Sequence, residues 1–370
     1  MNGAFGASQR VVVKIGSALL VDGSGQLRSA WLESLARDVR RLREAGRDVI
    51  LVSSGAIALG RSILGLPGGP LRLEEKQAAA ASGQIVLARA YQSALERVDL
   101  ACAQLLLTLG DTEDRRRYLN ARATVDTLLR LGAVPVVNEN DTVATTEIRF
   151  GDNDRLSARV AIMALADTLV LLSDVDGLYT ADPNRDPDAR HVAEVEAVTP
   201  AIEAMATGVS TTVGTGGMVA KLVAARLATR AGCNVLIADG RASSPLGRLA
   251  DGERYTRFRA QSSPRRAKKD WIAGALAPQG TVVVDQGAAA ALRAGRSLLP
   301  AGVVAVEGQF ARGDALLVKD ETGRVLAKGL SAYDAADALQ IVGRRSEDIE
   351  AILGFRGRDE LIHRDHLVLL

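Results

Sequence analysis

Two short clusters of acidic and amide residues have the composition of a ligand site. The first, at residues 138–141, directly follows an apolar stretch at 134–137, and the second lies at residues 151–154. An apolar stretch without polar alternation predicts a strand covered on both faces, and open α/β sheets bind ligands at the carboxyl ends of such strands. Asn and Asp are also common in turns. However, only one of Asp152 and Asn153 can cap the helix predicted next, which leaves at least one carboxylate for another role.

Two lysines beside glycines indicate phosphate chemistry. Lys14 ends a valine-rich strand before Gly16, and Lys221 lies in the first turn of a helix that follows a glycine-rich run at 214–217. Glycines let backbone N–H groups approach phosphate oxygens, and a helix N-terminus adds partial positive charge. A strand-end lysine can also simply reach solvent. Two lysines with several carboxylates favour phosphoryl transfer. We expect Lys221 to be an exposed loop lysine whose loss harms catalysis far more than folding.

The elements that position these residues alternate between strands and helices, which predicts an α/β fold with a mainly parallel sheet. An arm at residues 142–150, with alternating polarity, predicts a hairpin that could cover the site. Asp111 or Thr112 is expected to cap a helix that runs to Leu131. Strands are predicted at residues 10–15, 48–52, 101–107, 134–137, 168–172 and 234–238, and helices around residues 31–42, 77–95, 111–131 and 156–164 and after residue 217.

The last part of the chain follows a different pattern. A short, polar and basic stretch around residues 263–276 is typical of an interdomain linker. Beyond it, short strands at 281–285, 303–306, 315–318 and 325–327, with a helix at 286–294, predict a small, mostly β module. We therefore expect a catalytic domain at 1–262, a linker at 263–276, a β module at 277–357 and a C-terminal tail at 358–370.

Composition restricts the class of protein. The net charge is only +2, so the chain has no global field for nucleic acid or an anionic membrane, and aromatic residues are only 3% of the sequence, which disfavours base-stacking surfaces. No long uninterrupted apolar stretch or signal-like start is present, so we expect a cytoplasmic protein without a membrane contact. The two cysteines have no metal-ligand spacing.

Several catalytic motifs are missing. No GxxxxGK[ST] phosphate loop occurs, and the run at 214–219 lacks the third glycine of a dinucleotide fingerprint. The three histidines lie outside the strand-end clusters, which gives little support to a Ser-His-Asp triad. Residues 182–193 space like calcium ligands, but Pro187 stands at the glycine position and Ala193 at the glutamate position.

The motifs at residues 11–17, 52–56, 138–141, 151–154 and 177–183 together resemble the amino acid kinase family, and within it the branch that phosphorylates glutamate. The resemblance spans nearly the whole chain. It implies a three-layer sandwich with a mainly parallel sheet between helices, and the C-terminal module resembles a PUA domain. The family usually has threonine where this sequence has Ala220, which puts one hydroxyl contact to the nucleotide in doubt.

The resemblance also implies roles for individual residues. Lys14 and Lys221 would stabilise the transferred phosphoryl group, and Asp154 would orient both lysines. Ser54, Asp141 and Asn153 would hold the substrate. Mg²⁺ would bridge the phosphates, and no residue is assigned as its ligand. The ATP site would be lined by Lys14, Ser173, Asp174, Thr215, Gly216, Gly217, Met218, Val219, Ala220 and Lys221.

The expected reaction is therefore ATP-dependent phosphorylation of the γ-carboxylate of L-glutamate, the first step of proline biosynthesis. The resemblance further implies feedback inhibition by proline and a homo-oligomer. Acetylglutamate, aspartate and a nucleoside monophosphate are alternative acceptors, and Asp141 argues against acetylglutamate because an amide nitrogen carries no charge to pair. RNA binding through the PUA-like module is a further alternative, supported only by the basic residues 265–269.

Overall fold

The computed structural model describes residues 3–143, 153–206, 217–274 and 276–370. The chain divides into two compact units. The first comprises residues 1–113 and 120–264, and the second comprises residues 114–119 and 265–370. Each has its own apolar core. Across the described ranges, no helix is long and apolar enough to cross a bilayer.

The first unit alternates strands and helices, as the hydrophobic pattern predicted. The predicted hairpin arm lies outside the described residues from 144 onward. The elements are β1 (Arg10–Ile15), α1 (Ser17–Leu20), α2 (Ser29–Glu44), β2 (Asp48–Ser53), α3 (Ala56–Ile63), α4 (Leu73–Glu96), β3 (Cys102–Leu107), α5 (Leu109–Glu113), α6 (Arg115–Arg130), β4 (Val134–Glu139), α7 (Asn153–Met163), β5 (Thr168–Ser173), β6 (Leu178–Tyr179), β7 (His191–Val192), β8 (Glu194–Val195), α8 (Pro200–Ala206), α9 (Met218–Arg230), β9 (Asn234–Asp239), α10 (Pro245–Ala250) and β10 (Tyr255–Phe258).

Within the described ranges, the main sheet has the strand order β3-β4-β2-β1-β5-β9-β10-β8. Every pairing from β3 to β9 is parallel, and β10 runs antiparallel to β9. The predicted mainly parallel sheet is therefore confirmed. Because β1 lies between β2 and β5, the carboxyl ends of β2, β1 and β5 form one continuous edge, which is where a ligand crevice is expected.

The central strand β1 divides its side chains between two helix layers. Val11, Val13 and Ile15 join the apolar core shared with α2 and α4. Side chains alternate along a strand, so Val12 and Lys14 face the opposite layer, where α7 packs on β1 and α9 packs on α7. The alternation along β1 thus places Lys14 on the α7 side of the sheet.

One helix boundary differs from the prediction. The helix expected to start at Asp111 or Thr112 is interrupted at Asp114, which separates α5 from α6. Asp111 does not cap the long helix; its Oδ2 accepts hydrogen bonds from the backbone N–H and the hydroxyl of Thr108, both at 2.7 Å. This contact lies at the start of α5, and at the start of α6 Asp114 Oδ1 accepts the Arg117 N–H at 2.8 Å.

The second unit contains a five-stranded sheet within its described residues, in the order β12-β11-β13-β14-β15. The basic stretch predicted as a linker forms the helix α11 instead of an irregular connection. The elements are α11 (Pro264–Gly274), β11 (Gly280–Val284), α12 (Gln286–Arg293), β12 (Val303–Gly308), β13 (Ala315–Asp320), β14 (Val325–Leu330), α13 (Ala335–Ile341), α14 (Ile349–Leu353) and β15 (Leu367–Leu369), with single 3-10 turns at Pro300–Gly302, Ser346–Asp348 and Arg364–His366.

The segment 358–370, expected as a tail, is part of this unit's fold. β15 pairs antiparallel with β14, and Ile362 forms an isolated bridge with Leu298. Leu361, Ile362 and Leu367 are buried in the unit's core. The sequence reading missed this strand because it is only three residues long and ends in two exposed leucines.

Candidate active site

A buried carboxylate joins the two lysines that the sequence singled out. Asp154 Oδ1 lies 2.7 Å from Lys14 Nζ, and Asp154 Oδ2 lies 3.4 Å from Lys221 Nζ. The three side chains come from β1, the first turn of α7 and the first turn of α9. The structure therefore brings together the three residues to which the sequence assigned catalysis, although they are 67 or more positions apart.

This cluster holds two ammonium groups and one carboxylate in a buried place. All three side chains are nearly inaccessible to solvent. Burial opposes ionisation of Asp154, but the nearby ammonium groups of Lys14 and Lys221 outweigh it and lower the pKa of the carboxyl. The two ammonium groups share this carboxylate, and desolvation strengthens their attraction for an anion. The cluster is suited to a phosphoryl group that gains charge during transfer.

A polar pair lies at the end of β2. Asn153 Nδ2 donates to Ser54 Oγ at 2.7 Å and to the backbone oxygen of Ser53 at 3.2 Å. Asn153 is the first residue of α7, and its side chain makes this contact with the end of β2 rather than capping the helix. The other candidate for the cap, Asp152, lies outside the described residues. Gly55 follows with φ = 107°, a left-handed conformation that favours glycine and turns the chain into α3.

Asp141, just past β4, has an unusual ionisation. It is buried, and this burial together with the negative charge of Glu139 raises its pKa to about 7. A buried carboxylate whose pKa is raised in this way gains strongly from a cationic ligand. The family resemblance implies that Asp141 holds the substrate, and its environment provides a physical reason for a contact with a cationic group.

The predicted nucleotide residues are only partly described. At the end of β5, Ser173 Oγ donates to Asp174 Oδ1 at 2.9 Å; Ser173 is buried and Asp174 is exposed. Gly217 is the N-cap of α9 and is followed by Met218, Val219 and Ala220, whose N–H groups belong to the first turn. Thr215 and Gly216 lie outside the described residues.

Comparison with known proteins agrees with this geometry. Residues 9–239 match the model of the amino acid kinase family, and residues 280–353 match that of the PUA domain. The chain belongs to the amino acid kinase family. A protein named glutamate 5-kinase from Paramagnetospirillum magneticum is 61% identical over 98% of both chains. Another of that name, from Rhodospirillum rubrum, is 60% identical over 97% of this chain and 96% of its own.

A solved structure supports the fold of the family. Carbamate kinase from Giardia lamblia bound to AMP-PNP superposes with a TM-score of 0.50 at 19% identity. It covers 69% of this chain and 99% of its own. The predicted three-layer kinase fold with a separate, mostly β PUA domain is therefore confirmed.

One residue of this amino acid kinase that positions the site was missed from the sequence. Gln84, in the middle of α4, accepts a hydrogen bond through Oε1 from Asn138 Nδ2 at 2.7 Å. Asn138 lies near the end of β4, three residues before Asp141, so α4 supports the strand that carries the acidic cluster. No local signal marks Gln84, because a single glutamine in a helix has no distinguishing spacing.

Two glycines allow α4 to pack closely against α3, the helix that follows Ser54. A Cβ on Gly83 would lie 1.8 Å from the backbone oxygen of Ala56, and a Cβ on Gly60 would lie 1.7 Å from that of Ala79. The helices α3 and α4 therefore pack with their backbones in contact. Because α3 starts directly after Ser54 and Gly55, this contact fixes where the Ser54 hydroxyl lies.

The expectation that Lys221 is exposed is wrong. Lys221 is 5% exposed and is paired with Asp154, because α9 packs on α7 and turns its first-turn lysine inward. Its replacement is therefore expected to affect folding as well as catalysis.

Proposed function

We propose that this kinase transfers the γ-phosphoryl group of ATP to the γ-carboxylate of L-glutamate and forms L-glutamyl 5-phosphate. The observation that carries the proposal is the buried cluster in which Lys14 and Lys221 both pair with Asp154. The names and high identity of the full-length relatives support glutamate as the acceptor.

The reaction needs positioning rather than a general base. At neutral pH the glutamate γ-carboxylate is already ionised, since such groups have a pKa of about 4.3. One of its oxygens attacks the γ-phosphorus, and the bond from that phosphorus to the β,γ-bridging oxygen breaks as ADP leaves. Lys14 and Lys221 offset the repulsion between the two anions and the charge on the transferred oxygens. Asp154 holds both ammonium groups toward the same point.

Glutamate recognition is assigned to the residues at the ends of β2 and β4. Asp141 would pair with the substrate ammonium, and Ser54 and Asn153 would bind its polar groups. Within the described residues, Asn153 Oδ1 is buried without a hydrogen-bond partner, as expected of an acceptor that waits for a ligand. Acetylglutamate is disfavoured because its amide nitrogen would leave Asp141 without a cation.

ATP would bind along Ser173, Asp174 and residues 215–221, with the N-terminus of α9 toward its phosphates. Magnesium fits this site as an ion that arrives with the nucleotide. Mg²⁺ prefers oxygen ligands and usually takes several from substrate phosphates. The Asp154 carboxylate is already used by two ammonium groups, and the described residues contain no group of three or more potential metal ligands.

The further expectations from sequence are part of this proposal. The enzyme would act in the cytoplasm as a homo-oligomer, catalyse the first step of proline biosynthesis and be inhibited by proline. The relatives' names support the biosynthetic step through their substrate.

The test is ATP- and magnesium-dependent hydroxamate formation, in which hydroxylamine traps any acyl phosphate. Glutamate, acetylglutamate and aspartate are supplied as separate acceptors, and Lys14→Met serves as the inactive comparison. We expect signal with glutamate that the variant loses. Signal only with another acceptor would reassign the substrate, and no signal with any acceptor would contradict the proposal.

A further inference from the structure

The second unit contains a cavity of about 380 Å³ with an unusual concentration of guanidinium groups. Its volume falls within the range of about 300–1,000 Å³ that small-molecule sites occupy. Asp334, Asp337 and the aromatic side chains of Tyr333 and Phe355 also line it. The arginines that line it are Arg116, Arg312, Arg356 and Arg358, and every lining residue belongs to the second unit.

These arginines lack the partners that surface arginines usually find. Across the described residues, no carboxylate lies within 4.0 Å of the guanidinium groups of Arg116, Arg312 or Arg356, and none of the three makes a side-chain hydrogen bond. Arg358 has only a long contact of 3.8 Å to Glu360. Burial, followed by repulsion from Arg358 and Arg116, lowers the pKa of Arg312. The guanidinium groups therefore lie close together around an open volume, and among the described residues no carboxylate pairs with those of Arg116, Arg312 or Arg356.

The acidic residues on the lining do not compensate for them. Asp334 Oδ1 accepts the backbone N–H of Asp337 at 2.9 Å and caps α13. Burial and the negative charge of Asp334 raise the pKa of Asp337. The Asp334 carboxylate therefore serves the helix terminus, and among the described residues neither carboxylate lies within 4.0 Å of the guanidinium groups of Arg116, Arg312 or Arg356.

The loops that carry the arginines are fixed in place. Gly313, next to Arg312, has φ = 95° and donates its N–H to the Ser331 carbonyl at 2.8 Å. Tyr333 donates its hydroxyl to the Arg358 backbone oxygen. A Cβ on Gly357 would lie 2.2 Å from Tyr333 Oη, so this loop packs directly over the tyrosine. The arginine-bearing backbone is therefore organised before any ligand arrives.

We propose that this cavity binds the phosphate group of a small phosphorylated molecule. Planar guanidinium groups recognise phosphate oxygens in pairs, and several of them around one volume match a dianion better than a monocarboxylate. Phe355, 48% exposed at the rim, offers an apolar surface to the organic part of the ligand. A pocket of this size favours a small ligand over a nucleic-acid strand, which needs a groove along its backbone.

Isothermal titration of the full-length protein tests the proposal with inorganic phosphate, phenyl phosphate and an eight-nucleotide RNA as probes. We expect phenyl phosphate to bind more tightly than phosphate, and the double variant Arg312→Gln/Arg356→Gln to weaken its binding by about tenfold or more. Arg296→Gln, an exposed arginine outside the cavity, is the matched control and should bind as the unmodified chain does.

Arg356→Gln alone provides a second measurement if the double variant does not fold, because Arg356 is exposed. Equal binding by the unmodified chain and the arginine variants would overturn the proposal. The proposal would also be overturned if Lys14→Met abolished phosphate binding, because the measured heat would then come from the catalytic cluster. Binding of the RNA without binding of either phosphate compound would instead identify the cavity as part of a nucleic-acid-binding surface.

Discussion

At the level of single residues, Asp141 makes the proposed site sensitive to pH. Its pKa is raised to about 7 by burial and by Glu139, so a falling pH protonates it and removes the charge that would hold the substrate ammonium. We expect the KM for glutamate to rise by about tenfold per pH unit below 7, while turnover changes little. Steady-state kinetics between pH 5.5 and 8.5 would check this.

Two variants sharpen that prediction. Glu139→Gln removes the neighbouring negative charge, so the KM profile should shift to lower pH. Asp141→Asn should raise KM at every pH and remove the dependence. A flat KM profile in the unmodified enzyme would show that Asp141 does not contact the ammonium.

The two lysines lead to a second residue-level prediction. Lys221→Met or Lys14→Met removes one of the charges aimed at the phosphoryl group and should lower kcat by about 10²- to 10³-fold, with KM for glutamate nearly unchanged. Hydroxamate assays at saturating ATP measure both constants. Lys269→Met, an exposed lysine on α11, is the control and should leave kcat unchanged. An equal loss in the control would point to a general charge effect.

Asp154 is expected to matter for folding as much as for catalysis. Asp154→Asn leaves two buried ammonium groups close together without their shared carboxylate. Removing one partner of a buried ion pair costs about 3–5 kcal/mol, so the free energy of unfolding should fall by that order. Urea denaturation measures it. A variant with unchanged stability and lost activity would mean that Asp154 acts only on the substrates.

At the level of elements, the contact between α3 and α4 governs the substrate side of the site. Helix propensity alone predicts that Gly83→Ala stabilises α4 by about 1 kcal/mol. The structure predicts the opposite sign, because the added Cβ meets a backbone oxygen that cannot move without separating the helices. We expect a loss of about 1–3 kcal/mol in stability and a higher KM for glutamate.

Ser82→Ala, at the adjacent position of the same helix, is the matched control and should retain both stability and KM. Thermal denaturation and steady-state kinetics on the two variants separate packing from propensity. Stabilisation by Gly83→Ala would show that the helices adjust freely and that α4 does not hold Ser54 in place.

At the level of the whole molecule, the two units have separate cores. A deletion that destabilises one unit should therefore increase hydrogen exchange in that unit first. A chain that ends at Asp365 lacks β15 and the buried Leu367. It should lose about 2–5 kcal/mol in the second unit, judged by the cost of removing a buried leucine. Hydrogen exchange should increase in β13 and β14 and remain slow in β1 and β5.

The full-length double variant Leu369→Ala/Leu370→Ala keeps the backbone of β15 and removes only two exposed side chains, so it is the control for this truncation. Its exchange rates should match those of the full chain. Faster exchange in β1 and β5 of the shorter chain would show that the two units unfold together.

The sequence by itself determined the order of elements, the parallel sheet and the residue types of the site. Valine-rich strands without polar alternation predict burial on both faces, and glycine beside lysine predicts an anion site, because both signals depend on neighbours in the chain. The same local rules failed at Asp111, where a turn with Thr108 replaced the cap, and in residues 358–370, where the strand is too short to show a period.

Only the tertiary structure decided which residues meet. The pairing of Lys14, Asp154 and Lys221, the inward direction of Lys221 and the support of Asn138 by Gln84 all depend on β1, α7, α9 and α4 packing around one sheet. The ionisation of Asp141 depends in the same way on burial, which no spacing records. The arginine cavity is the clearest case, because its members come from separate segments of the chain and share no motif. Distances between segments far apart in sequence are set by packing, so only the folded structure determines them.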